Sequence, residues 1–200
     1  MLLEHQGCSP AIDPTAYIAP TATLCGDVRV GPGCRVLFGA ILTAEGGPIT
    51  LGEGSIVMEN AVLRATRRDP LTIGRQVLVG PMSYLTGCRI EDEVFLATGC
   101  RVFNGARIGT RSEVRINAVV HLRTVLPADS MVPIGWVAVG DPARILEPGD
   151  HDGIWAVQRE LDFPGYVFGL DRPGDGQSLM PGISERFGRA LGRHTDDRQI

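Results

Sequence analysis

An apolar residue recurs at every sixth position through most of this chain, and that period narrows the choice of fold more than any other feature. One series runs Tyr84, Ile90, Leu96, Val102, Ile108, Val114, Val120 and Leu126, and an earlier one Ile12, Ile18, Leu24, Val30, Val36 and Leu42. Four positions later stand small or compact residues: Cys88, Val94, Cys100, Ala106, Ser112, Ala118 and Thr124, and before them Ala16, Ala22, Val28, Cys34, Ala40 and Gly46. This is the hexapeptide signature of a parallel β-helix. The aliphatic residue points into a prism, the small one lets the chain turn a corner, and three hexapeptides complete a coil.

The breaks in the rhythm are expected to mark departures from the wall. The steps from Val57 to Val62 and from Val79 to Tyr84 are five residues long. Ala65 to Thr72, with Arg67, Arg68, Asp69 and Pro70, reads as a loop leaving the solenoid, and Thr43 to Pro48 as a second excursion. After Leu126 the period fades through Pro127 and Pro133, and helical spacing follows in His151 to Leu161, with Asp150 as N-cap and Phe163-Pro164-Gly165 as the stop. The expected organisation is a β-helix over 1–147, a helix packing on it within 148–170, and a polar tail over 171–200. In that tail Ile183, Phe187, Ala190 and Leu191 suggest a second short helix.

Composition excludes several functional classes. With 200 residues, 26 Gly and 14 Pro, the chain suits one domain whose glycines and prolines punctuate an apolar rhythm. Net charge is −4, and no basic cluster argues for nucleic acid. No apolar run approaches a membrane span and MLLEHQG lacks the features of a signal peptide, so a cytoplasmic protein without membrane partners is expected. The cysteine count is odd and lacks CxxC spacing, so no disulfide framework or zinc ribbon is indicated. Cys34, Cys88 and Cys100 fall at corners, where a small hydrophobe is wanted.

Four stretches resemble the γ-class carbonic anhydrases: GDVRVG (26–31), LGEGSIVMENAVLRA (51–65), LVGPMSYLTGC (78–88) and VGDPAR (139–144). The resemblance covers roughly residues 10 to 147. It implies a left-handed β-helix assembled as a homotrimer, with an active cleft between subunits. The hand follows from the resemblance alone, because periodicity does not reveal it and the usual crossover preference is right-handed.

The resemblance also implies a zinc ion held by three histidines, two from one subunit and one from its neighbour. Those positions are Arg64, Pro81 and Thr86 in this sequence. Arginine is a permanent cation, proline offers no side-chain donor and threonine is a poor neutral ligand. The glutamine that helps orient zinc-bound water is replaced by Met58, its aspartate neighbour by Glu59, and the interface RGD segment by Thr43-Ala44-Glu45. Without the metal nothing lowers the pKa of water toward neutrality, so CO2 hydration is not expected, nor is a metal or other cofactor.

The expected site is an intersubunit cleft that binds or transforms a small anion, lined by Arg64, Met58, Pro81, Met82 and Thr86. A guanidinium can hold carboxylate or phosphate in a bidentate fork. Glu59, Tyr84, His121 and Tyr166 join Arg64 as candidate catalytic groups. An equally open reading makes Arg64 a structural residue, ion-paired with Glu59. Phe38, Tyr84, Phe95 and Phe103 cannot all fit inside so narrow a prism, which suggests a partner surface. Three alternatives stay open: an acyltransferase using a CoA thioester, a zinc-free scaffold subunit, and a metal-dependent lyase with unorthodox ligands such as His121 and Glu59. Against the acyltransferase, no inserted loop carries a histidine.

Overall fold

The computed structural model describes residues 1–200. Strands Leu2–Glu4, Ala11–Ile12 and Tyr17–Ile18 open three different sheets, and Thr23–Cys25 returns to the first. Repeating that circuit builds a parallel β-helix with two seven-stranded walls and a third of eight parallel strands, which two antiparallel strands at its ends extend to ten. Each parallel strand pairs with the strand one coil away, so backbone groups are satisfied along the helix axis.

The hexapeptide period becomes three columns of buried aliphatics. On the ten-stranded wall Leu24, Leu42, Leu63, Leu85, Val102, Val120 and Ala138 stack in register. The other walls contribute columns such as Leu51, Ile73, Ile90, Ile108 and Val57, Val79, Leu96, Val114. All of these are buried, and so are the corner residues Ala22, Ala40, Cys100 and Ala118. Cys25, Cys34, Cys88 and Cys100 are buried free thiols, and burial pushes Cys100 up to about 12.

Two details differ from the sequence expectation. Leu85, not Tyr84, belongs to the inner column, and Leu63 rather than Val62 precedes it. The strand side-chain period of two means that a one-residue slip moves a side chain from core to surface. The short step therefore lies between Leu85 and Ile90, and Tyr84 faces outward. The segment Ala65 to Thr72 is also not one loop. Strand Val62–Thr66 continues through Ala65, leaving only residues 67–70 outside, and a new strand begins at Leu71. Strand Val62–Thr66 pairs along its whole length with Ile41–Glu45, so the two excursions lie one above the other. A Cβ at Gly47 would run into the Thr66 carbonyl, which is why that lower turn carries glycine.

At the end of the coils, strand Arg144–Leu146 pairs antiparallel with the last parallel strand, Val137–Val139. Helix α1 (His151–Gln158) follows, capped by Asp150, whose carboxylate accepts from Gly153 N at 2.9 Å. The chain then bends through Pro164–Phe168 into helix α2 (Met180–Leu191). The final residues Arg198–Gln199 add an antiparallel strand to Leu2–Glu4, covering the exposed edge of the ten-stranded wall. The polar tail therefore runs back to the N-terminal end of the solenoid. No helix is long and apolar enough to cross a membrane.

Candidate pocket on the ten-stranded wall

Along the outer side of the ten-stranded wall, residues spaced by one coil stand beside one another. Arg64 pairs in register with Thr86, and Tyr84, Phe103 and His121 occupy the following coils. The C-terminal segment folds across these residues, with Phe163, Tyr166 and Phe168 before α2 and Phe187 and Ala190 on it. Between wall and roof lies a cleft of about 830 Å³. Aromatic contacts hold the roof together: Phe168 meets Phe163 edge-on at 5.4 Å and Phe187 at 5.5 Å.

One loop fastens that roof. The Tyr166 hydroxyl donates to Asp69 at 2.8 Å, Arg68 donates to the Tyr166 carbonyl at 3.1 Å, and the Arg68 guanidinium lies 4.1 Å from the ring centroid. Asn104 donates to the other Asp69 oxygen at 3.3 Å. A Cβ at Gly105, whose φ is +73°, would stand 2.5 Å from the Tyr166 hydroxyl, so glycine is required for this approach. Burial, then the bond to and charge of Asp69, push Tyr166 up to about 12. It is a hydrogen-bond donor at neutral pH, not a base.

The cleft gathers Arg64, Tyr84, Thr86, His121 and Tyr166 from the expected site. Met58, Glu59, Pro81 and Met82 do not line it. They sit on turns between the ten-stranded wall and a neighbouring wall. Arg64 donates to Glu45 on the adjacent strand rather than to Glu59, with side chains 29% and 16% exposed. The excursion that lengthens both strands carries Glu45 to this place. His121 packs near Phe103, centroid to centroid 6.3 Å. Its Nδ1 is buried without a hydrogen-bond partner, and burial lowers its pKa below the ordinary value. A neutral imidazole with a free nitrogen can exchange a proton or accept a hydrogen bond.

Sequence reasoning missed Glu45, Asp69 and the roof residues Arg186 and Phe187. The helical spacing of Ile183 and Phe187 signalled a helix, but nothing local said where it docks.

No family model matches the chain. Over 144 residues it is 29% identical to gamma carbonic anhydrase 1, mitochondrial, of Arabidopsis thaliana, covering 69% of this chain and 50% of that one. It is 24% identical to carbonic anhydrase of Geobacillus kaustophilus, covering 80% and 84%. The chain is a γ-carbonic-anhydrase-like hexapeptide-repeat protein. Its β-helix is left-handed. It spans about half the length of the Arabidopsis relatives it matches. A putative acetyltransferase of Bacillus cereus shares the fold, with a TM-score of 0.53, 19% identity and coverage of 94% and 95%.

In this γ-carbonic-anhydrase-like protein the residues at the three implied zinc positions do not fit the ion. The Arg64 guanidinium is engaged by Glu45, Thr86 lies beside it in register, and Pro81 stands outside the cleft. An arginine already paired with a carboxylate, a proline without a side-chain donor and a neutral hydroxyl cannot replace three imidazoles at the ion.

Proposed function

We propose that this protein does not hydrate CO2 and that its cleft binds a small carboxylate-bearing molecule with an apolar body. The reading rests on Arg64 at an implied zinc-ligand position, in a cleft lined by four arginines and two carboxylates. Arg64, Arg67, Arg68 and Arg186 face Glu45 and Asp69, while Phe103, Phe163, Phe168 and Phe187 supply apolar walls. A carboxylate would take over the Arg64 fork from Glu45, and the body would lie among the rings. His121, three strands along the wall from Arg64, would line the far end of the cleft. Tyr166, held by Asp69, shapes the roof.

We place Met58, Pro81 and Met82 in a homotrimer interface rather than in the cleft of a single chain. Two apolar ladders flank their turns: Ile41, Val62 and Tyr84 on one wall, and Ile56, Leu78 and Phe95 on the next. Met82 is 63% exposed and Phe95 40%, more apolar surface than an isolated solenoid corner calls for. Threefold closure would cover this edge on every subunit.

Titration calorimetry with benzoate, hexanoate, inorganic phosphate and acetyl-CoA, alongside a CO2 hydration assay, tests the reading. A carboxylate with an apolar tail should bind more tightly than phosphate. Arg64→Ala should weaken it at least about tenfold, and Glu45→Gln should strengthen it by removing the internal competitor. CO2 hydration that rises with bound zinc would overturn the proposal. So would acetyl-CoA binding accompanied by acyl transfer.

A further inference from the structure

A second cluster of chemically active side chains lies at the N-terminal end of the ten-stranded wall, outside the cleft. His5 follows the first strand, Cys25 ends the next strand of that wall, and His194 and Asp197 come from the turn after α2. One donor atom from each falls within 4.8 Å of the others. The Nδ1 atoms of His5 and His194 lie 2.6 and 2.8 Å from the two Asp197 oxygens, and the Cys25 thiol donates to Asp197 at 3.5 Å. The two imidazoles stack at 4.3 Å. His5 and Cys25 are each 3% exposed.

We propose that His5, Cys25, His194 and Asp197 form a structural binding site for a zinc-type divalent cation that locks the C-terminal tail to the first coils.

Three observations carry this. The donor set of two imidazoles, one thiol and one carboxylate suits a borderline-soft ion in a four-coordinate site. The outer nitrogens of both rings also have partners that orient them. His5 Nε2 meets the Gln6 amide at 2.7 Å, and His194 Nε2 faces Glu45 at 3.6 Å. Such outer contacts fix which ring nitrogen points inward, and here both Nδ1 atoms converge. A rotated Gln6 amide would accept from Nε2–H once Nδ1 is given to the metal. Finally, the ligands join the two ends of the chain, where antiparallel pairing of Arg198–Gln199 with Leu2–Glu4 is otherwise short. A cation there would couple ordering of the tail to metal binding.

The 200-residue protein, stripped with chelator, is titrated with Co(II) alone and followed by absorption. One equivalent should bind with tetrahedral ligand-field bands and a thiolate-to-cobalt charge-transfer band, and Zn(II) should displace it. Cys25→Ser should abolish the charge-transfer band, while Cys8→Ser, which removes an exposed thiol, should leave it. His194→Ala, on the partly exposed tail, should weaken binding more than about tenfold, at least the loss that follows removal of an outer-shell partner. Circular dichroism melts establish that each variant is folded. Binding short of one equivalent would overturn the site. So would a spectrum insensitive to Cys25→Ser but lost in Cys8→Ser, or His194→Ala binding like the parent.

Discussion

The Tyr166 hydroxyl donates to Asp69 across 97 residues of sequence, joining the roof of the cleft to the loop that leaves the solenoid wall. The same ring lies under the Arg68 guanidinium, so one side chain anchors the C-terminal segment by two kinds of contact.

Removing only the hydroxyl isolates the first contact. Tyr166→Phe should cost roughly 1–2 kcal/mol in urea unfolding, because Asp69 keeps its charge and loses a donor. Hydrogen exchange should quicken in residues 164–168 while the coils stay protected. Equal loss of protection throughout would show that the roof and the solenoid open together.

The register of the wall makes opposite demands on neighbouring residues. Leu85→Ala should destabilise the protein by about 2–5 kcal/mol through a cavity in the inner column. Tyr84→Ala, on the outer side, should cost about 1 kcal/mol or less. Denaturant midpoints for the two variants decide between the registers.

Met82 has a left-handed backbone, φ +56°, where comparable turns place Gly39, Asn60, Gly99 and Asn117. A bulky residue in that region costs on the order of 1 kcal/mol, which Asn largely avoids. Met82→Asn should raise the stability of the isolated chain while weakening self-association in sedimentation. A variant no weaker in association would remove Met82 from the proposed interface.

Acidity should act through His121. Burial lowers its pKa from the ordinary 6.5, so in acid the unfolded chain takes up a proton that the folded chain resists. Stability should therefore be unaffected by this residue above about pH 6.5 and fall as pH drops below it. His121→Gln should flatten that limb of a urea-midpoint profile between about pH 5 and 7.5.

The sequence by itself determined the β-helix. Its inner columns need one aliphatic per strand and a compact residue at each corner, and that requirement is written locally every six residues. Its resemblance to the γ-class carbonic anhydrases implied Arg64, Pro81 and Thr86 in place of imidazole donors, since ligand chemistry depends on residue type. Only the tertiary structure decided that Leu85 is inside and Tyr84 outside, because a strand shows the same two faces under a one-residue slip. Only the stacking of coils brought Glu45 to Arg64, nineteen residues away, and left Glu59 on a turn. The return of the tail placed Tyr166 on Asp69 and Asp197 on His5. These contacts join segments far apart in the chain, where the period gives no lateral address, and depend on how many coils separate them and where the last helix folds back.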